Sequence, residues 1–104
     1  MARCFVALML SVAALPAFAQ QHDTATGRRI AEQDCARCHG ISGDQQSPVE
    51  RAAPFARIAN MASTNELSLR VFLRTSHAGM PNLIFKDDEL ESLIAYILSQ
   101  KVAK

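Results

Sequence analysis

Cys35-Ala36-Arg37-Cys38-His39, followed at once by Gly40, is the stretch on which the reading of this chain turns. It has the form C-x-x-C-H, the pattern of covalent c-type haem attachment. The spacing has a physical basis: on a helical turn, residues three and four apart share a face. Cys35, Cys38 and His39 therefore project toward one object. Two thiols so placed can form thioethers with the two haem vinyl groups while the imidazole ligates the iron. A bare C-x-x-C is also compatible with a thiol–disulfide centre or a zinc site. The first needs a βαβ context, and no strand-like alternation flanks the motif. The second usually needs another pair of ligands; His22 and His77 remain, and neither is paired at a ligand spacing. Both stand as alternatives behind haem.

The chain has 104 residues, which bounds it to one small domain. Residues 1–19 read as a secretory signal peptide: Arg3 as a short basic start, an apolar run from Cys4 to Leu15, Pro16 as a breaker, and Ala17-Phe18-Ala19 as the cleavage site. The apolar run is shorter than the ~20 residues a bilayer span takes. Cleavage after Ala19 is therefore expected, with no stable membrane anchor and a single domain over residues 20–104. Of the 3 cysteines, Cys4 leaves with the signal, so no odd thiol remains in an oxidising compartment. Of the 11 basic side chains Arg3 leaves too, and 10 face 10 acidic ones. That neutral balance argues against nucleic acid, which wants a basic face. The mature portion lacks Trp and lies just above the ~70–80 residues below which a chain needs a staple. A covalent haem would supply apolar core that the side chains do not.

The pattern along the chain is helical. A first helix is expected from an N-cap at Thr24 or Thr26 through Ile30-Ala31-Glu32 into Cys35, with Gly27 in its early turns as a site of close backbone approach or a tolerated glycine. Residues 40–53 read as a loop, rich in Gly, Ser, Asp and Pro. Phe55, Ile58 and Met61 imply one or two short helical turns. Ser63-Thr64-Asn65-Glu66 has the form of a capping box, Ser63 at the N-cap and Glu66 at N3. The helix it opens would place Leu67, Val71 and a neighbouring Leu or Phe on one face, with Arg70 and Arg74 elsewhere. Residues 76–82 read as a loop. Asp87-Asp88-Glu89 complements a helix N-terminus, and Leu90, Leu93, Ile94, Ile97 and Leu98 follow at i, i+3, i+4, i+7 and i+8. No strand is expected, and the fold class is all-α.

If His39 holds the iron on one side, the other side takes a ligand from a distant stretch: Met61, Met80, His22 or His77. Met80 is the best placed. Gly79 removes bulk before it, and Pro81 biases it to an extended conformation, so its thioether is presented without helical packing competing for it. Met61 falls on an apolar periodicity and reads as core or pocket wall; His77 reads as a polar loop residue.

The features taken together resemble the class I c-type cytochromes, small secreted mono-haem proteins. Gly27, C-A-R-C-H-G at 35–40, A-P-F at 53–55, H-A-G-M-P-N at 77–82 and L-I-A-Y-I at 93–97 carry the match in order along nearly the whole mature chain. The resemblance implies three main helices plus short turns around one covalent haem c. It makes Cys35 and Cys38 the thioether attachments, with His39 and Met80 as the iron's axial ligands. It implies that the Pro54 carbonyl accepts a hydrogen bond from His39, with Pro48 competing for that register, and that Gly27 and Tyr96 mark a crossing of first and last helices. No Trp stands near a propionate; Arg57, Arg70 and Arg74 are alternatives for that role or plain surface arginines.

Function follows from the coordination. His39 and Met80 together leave no open position on the iron, and a soft thioether favours the ferrous state. The expectation is a periplasmic, monomeric, non-enzymatic electron carrier cycling Fe(III)/Fe(II), whose partners are redox proteins (a dehydrogenase, or a reductase or oxidase) met through small, weak interfaces. The alternatives are an electron-accepting subunit bound to one periplasmic dehydrogenase, and a gas-binding haem sensor from which Met80 is absent or easily displaced.

Overall fold

The computed structural model describes residues 22–102. The expected signal segment, residues 1–19, lies outside the described residues. Within them the chain forms four helices, α1 (Thr24–Asp34), α2 (Phe55–Asn60), α3 (Glu66–Leu73) and α4 (Asp87–Ser99), and no strand. No helix among them is long and apolar enough to cross a membrane.

The caps of α1 and α3 are residues other than those the sequence pattern pointed to. Asp23, rather than Thr24 or Thr26, caps α1, accepting from the Ala25 N–H at 2.9 Å and the Thr26 hydroxyl at 2.7 Å. Those bonds hold the Asp23 carboxyl below its usual range. Asn65, rather than Ser63, caps α3 and closes a box with Ser68: the Asn65 side chain accepts from the Ser68 N–H, and the Ser68 hydroxyl accepts from the Asn65 N–H, each at 2.9 Å. A turn from Met61 to Thr64 occupies the stretch in which Ser63 would have capped. α4 begins as expected, with the Glu89 carboxylate accepting from the Lys86 N–H at 3.0 Å.

The core is built on α4. Leu90, Leu93 and Ile94 are its largest fully buried side chains, and Tyr96 and Ile97 continue the face against Ile30 and Ala31 of α1. The two helices touch at Gly27, where an added Cβ would sit 2.0 Å from the Ser92 carbonyl oxygen and 2.7 Å from the Tyr96 Cβ. The conflict is with backbone, so no rotamer change relieves it. Gly27 is thus a residue of close approach. On α3 the buried face is Leu69, with Leu73 packed at its edge; the face expected to carry Leu67 and Val71 is exposed. Leu69 lies on the side of α3 from which Arg70 reaches Glu91 of α4, whereas Leu67 and Val71 lie outside. Two ion pairs tether α3 to α4: Arg70 grips Glu91 with two bonds of 2.6 and 2.7 Å, and Arg74 pairs with Asp87.

Candidate haem site

The motif begins where α1 stops. The N–H groups of Cys35 and Ala36 both donate to the Ala31 carbonyl at 2.9 Å, and those of Cys38 and His39 donate to the Cys35 carbonyl at 3.0 and 2.9 Å. The three-and-four spacing is realised in a tight turn appended to the helix. Cys35 is buried, Cys38 and His39 are half-buried, and both thiols are free. Burial, with a smaller contribution from Asp34, pushes the Cys35 thiol up to about 11. A thiol–disulfide centre wants the opposite shift. Among the described residues, no three His, Cys, Asp or Glu side chains gather as a metal cluster, which a structural zinc site would need.

The loop after the motif folds back on it. Gly40 donates to the Ser47 hydroxyl and its carbonyl accepts from the Phe55 N–H at 2.8 Å; Val49 donates to the Cys38 carbonyl at 3.2 Å. A Cβ at Gly40 would lie 2.1 Å from the Gln45 carbonyl oxygen. This return brings the Ala53 carbonyl to 2.7 Å from His39 Nδ1. The acceptor is therefore Ala53, and the expectation that it is Pro54 or Pro48 is corrected. The Pro54 carbonyl is already engaged, accepting from the Arg57 and Ile58 N–H groups at the start of α2. Because a carbonyl only accepts, Nδ1 carries the proton and Nε2 keeps its lone pair for a metal. The ring also rests on Phe55, centroids 5.8 Å apart, and Phe55 meets Tyr96 edge-on at 6.4 Å. His39 is thereby braced through Phe55 against the α1–α4 crossing.

Met80 lies on the other side of the molecule's chemistry, half-buried in the loop after α3. With Phe72, His77, Pro81, Leu83 and Ile84 it lines a cavity of about 280 Å³ that does not include Cys35, Cys38 or His39. His77 stacks on Phe72 with centroids 3.5 Å apart and planes 9° apart, and its Nε2 lies 2.8 Å from the Phe72 carbonyl. Met61 is exposed and His22 lies on the surface ahead of α1. One contact joining the two loops was not foreseen. The Arg51 guanidinium lies across Gly79, 3.4 Å from where a Cβ would stand, so the loop that supplies Ala53 also touches the residue before Met80. Gly79 takes φ +78°, a conformation that favours glycine. Arg70 and Arg74 are committed to carboxylates on α4, whereas Arg57 is exposed.

The donor set fits a haem. Free thiols at three-residue spacing, an imidazole whose Nδ1–H is fixed and whose Nε2 is available, and a thioether in a loop whose cavity mixes apolar (Phe72, Leu83, Ile84) with polar (Arg74, Thr75, Asn82) lining are donors such a group can use. A family model described as cytochrome c oxidase, cbb3-type, subunit III matches residues 22–97. The chain belongs to this family of c-type cytochrome domains. No curated protein and no solved structure gives a significant match. Membership, together with the all-helical architecture, makes this a cytochrome c-like fold and implies covalently bound haem c and haem-based electron transfer.

Proposed function

We propose that this cytochrome is a periplasmic mono-haem electron carrier in which Cys35 and Cys38 anchor one haem c while His39 and Met80 hold its iron. The observation that carries the reading is the His39–Ala53 bond beside two free thiols on one turn. When bound, the haem supplies a one-electron Fe(III)/Fe(II) couple. The Ala53 carbonyl orients the imidazole and raises its basicity. Met80 contributes a soft thioether that favours the reduced state. Phe55, against which the His39 ring rests, would help to hold the imidazole in one orientation. With His39 and Met80 both holding the iron, the haem would have no position left for a substrate, and the chain would act as a carrier and not as an enzyme. The compartment follows from the expected signal at residues 1–19 and cleavage after Ala19.

Potentiometric titration of the haem-loaded protein tests this. A single reversible one-electron wave, with no dioxygen uptake by the reduced form, is expected; two haem waves or catalytic dioxygen consumption would refute it. A second reading, in which the chain is the stably bound electron-accepting subunit of one redox complex, is favoured by the family's description as an oxidase subunit. Co-purification with a membrane oxidase or a dehydrogenase at stoichiometric ratio would select it over a free shuttle.

A further inference from the structure

The loop that carries Met80 is short of backbone bonds. Among the described residues, the backbone N–H bond within Ser76–Phe85 runs from Met80 to the His77 carbonyl, at 3.3 Å. His77 is in turn fixed to α3. Its Nε2 lies 2.8 Å from the Phe72 carbonyl and 3.0 Å from the Thr75 hydroxyl, and its ring lies flat on Phe72. The carbonyl only accepts, so Nε2 is the protonated nitrogen, and it adds a bond from the loop to a carbonyl that also accepts from the Thr75 N–H at 3.2 Å. The Thr75 hydroxyl, within 3.0 Å of the Val71 carbonyl and 3.1 Å of the Phe72 carbonyl, serves the same turn. The helix beneath is held to α4 by Arg70–Glu91 and Arg74–Asp87. A continuous path of bonds thus runs from α4 through α3 and His77 to the Met80 backbone. Near-parallel overlap is not the arrangement aromatic rings prefer by themselves; the Nε2–H bond to Phe72 holds the ring there.

We propose that His77 is a positioning residue, the latch that fastens the Met80 loop to α3 and so keeps the Met80 thioether on the iron. This rests on the His39/Met80 reading. With its Nε2 committed to the Phe72 carbonyl, His77 ties the Met80 loop to α3. Without it, the loop opens more often, Met80 leaves the iron more often, and an exogenous diatomic ligand enters in its place.

The test uses the full haem-loaded protein, wild type beside His77→Ala, His77→Gln (an N–H donor without the ring) and His77→Phe (the ring without the donor). The readouts are the far-red ferric band of iron–sulfur ligation, carbon monoxide binding by the ferrous form, and backbone hydrogen exchange over residues 78–84. His77→Ala is expected to weaken the band and to speed carbon monoxide binding and loop exchange about tenfold, the worth of one lost hydrogen bond. His77→Gln should recover more of the band than His77→Phe. Thermal unfolding of the α1–α4 core should be unchanged. A wild-type band with His77→Ala indistinguishable in all three readouts, or altered only in melting temperature, overturns the latch. A wild type that lacks the band overturns the Met80 ligation beneath it, and the two failures are told apart by the wild-type spectrum alone.

Discussion

The α1–α4 crossing and the α3–Met80 side are made from similar apolar residues and behave as opposites. At the crossing, packing is complete: Leu93 is 0% exposed, and Gly27 has no room for a single carbon. On the α3 side Leu67 is 65% exposed and Ile84 98% exposed, and the ligand loop is held by a few polar bonds. The first region is a scaffold whose stability is its own. The second is a set of side chains positioned for something flat and apolar to lie against. His39 belongs to the scaffold through Phe55 and Ala53, whereas Met80 belongs to the adaptable side. The two side chains proposed to hold the iron are therefore supported very differently, His39 by packing and Met80 by a few polar bonds.

The largest effect should come from Gly27→Ala. The new Cβ meets the Ser92 carbonyl, which cannot move without separating the helices, and the cost should be about 3 kcal/mol or more, read from denaturant unfolding of the haem-loaded protein. A cost below about 1 kcal/mol would break the comparison at its stronger end. Next is Leu93→Ala, which leaves a cavity at the centre of α4 and should cost about 2–5 kcal/mol. The same kind of truncation on the other side, Leu67→Ser, should shift stability by less than about 0.5 kcal/mol. A large effect there would mean that α3 is covered in the assembled protein by haem or by a partner.

Glu91 gives a smaller effect with a defined sign. Its bond to Arg70 holds the carboxyl below the ordinary glutamate value. A depressed folded value adds stability above the unfolded value, lost as pH falls through the folded one. Wild type should therefore exceed Glu91→Gln near neutrality, with the gap closing below about pH 4. A gap that widens in acid would contradict the assignment. The pair is partly exposed, so the effect is modest and should shrink further with salt.

How much of this was legible in the sequence varies with the kind of residue. The attachment turn and α4 were plain, because C-x-x-C-H and a sustained i, i+3, i+4 pattern each have few competing explanations. Gly27 and Tyr96 were legible as a pair only through the family resemblance, since Gly27 alone also reads as a tolerated glycine. The helix starts were not, because Asp23, Thr24 and Thr26 can all cap, as can Ser63 and Asn65, and the choice depends on where the preceding turn ends. Which face of α3 is buried was not legible either, because Leu67, Leu69, Val71, Phe72 and Leu73 spread apolar side chains around the helix. Ala53 was missed in favour of its neighbour because Pro54 is the residue that stands out, while the preceding carbonyl has no side-chain signature. The Arg51–Gly79 contact and the Phe72–His77 stack are meetings of distant or looped residues, with no periodicity to announce them.

The measurement that bears most directly on the central claim is the absorption spectrum of the haem-loaded protein, oxidised and reduced, before and after carbon monoxide, with Met80→Ala beside it. The account predicts haem that survives denaturation, a far-red ferric band in wild type, and indifference to carbon monoxide, with Met80→Ala losing the band and binding the gas. Covalent haem in a wild type that lacks the band and binds carbon monoxide as readily as Met80→Ala would remove Met80 from the iron and replace the carrier with a gas-binding protein.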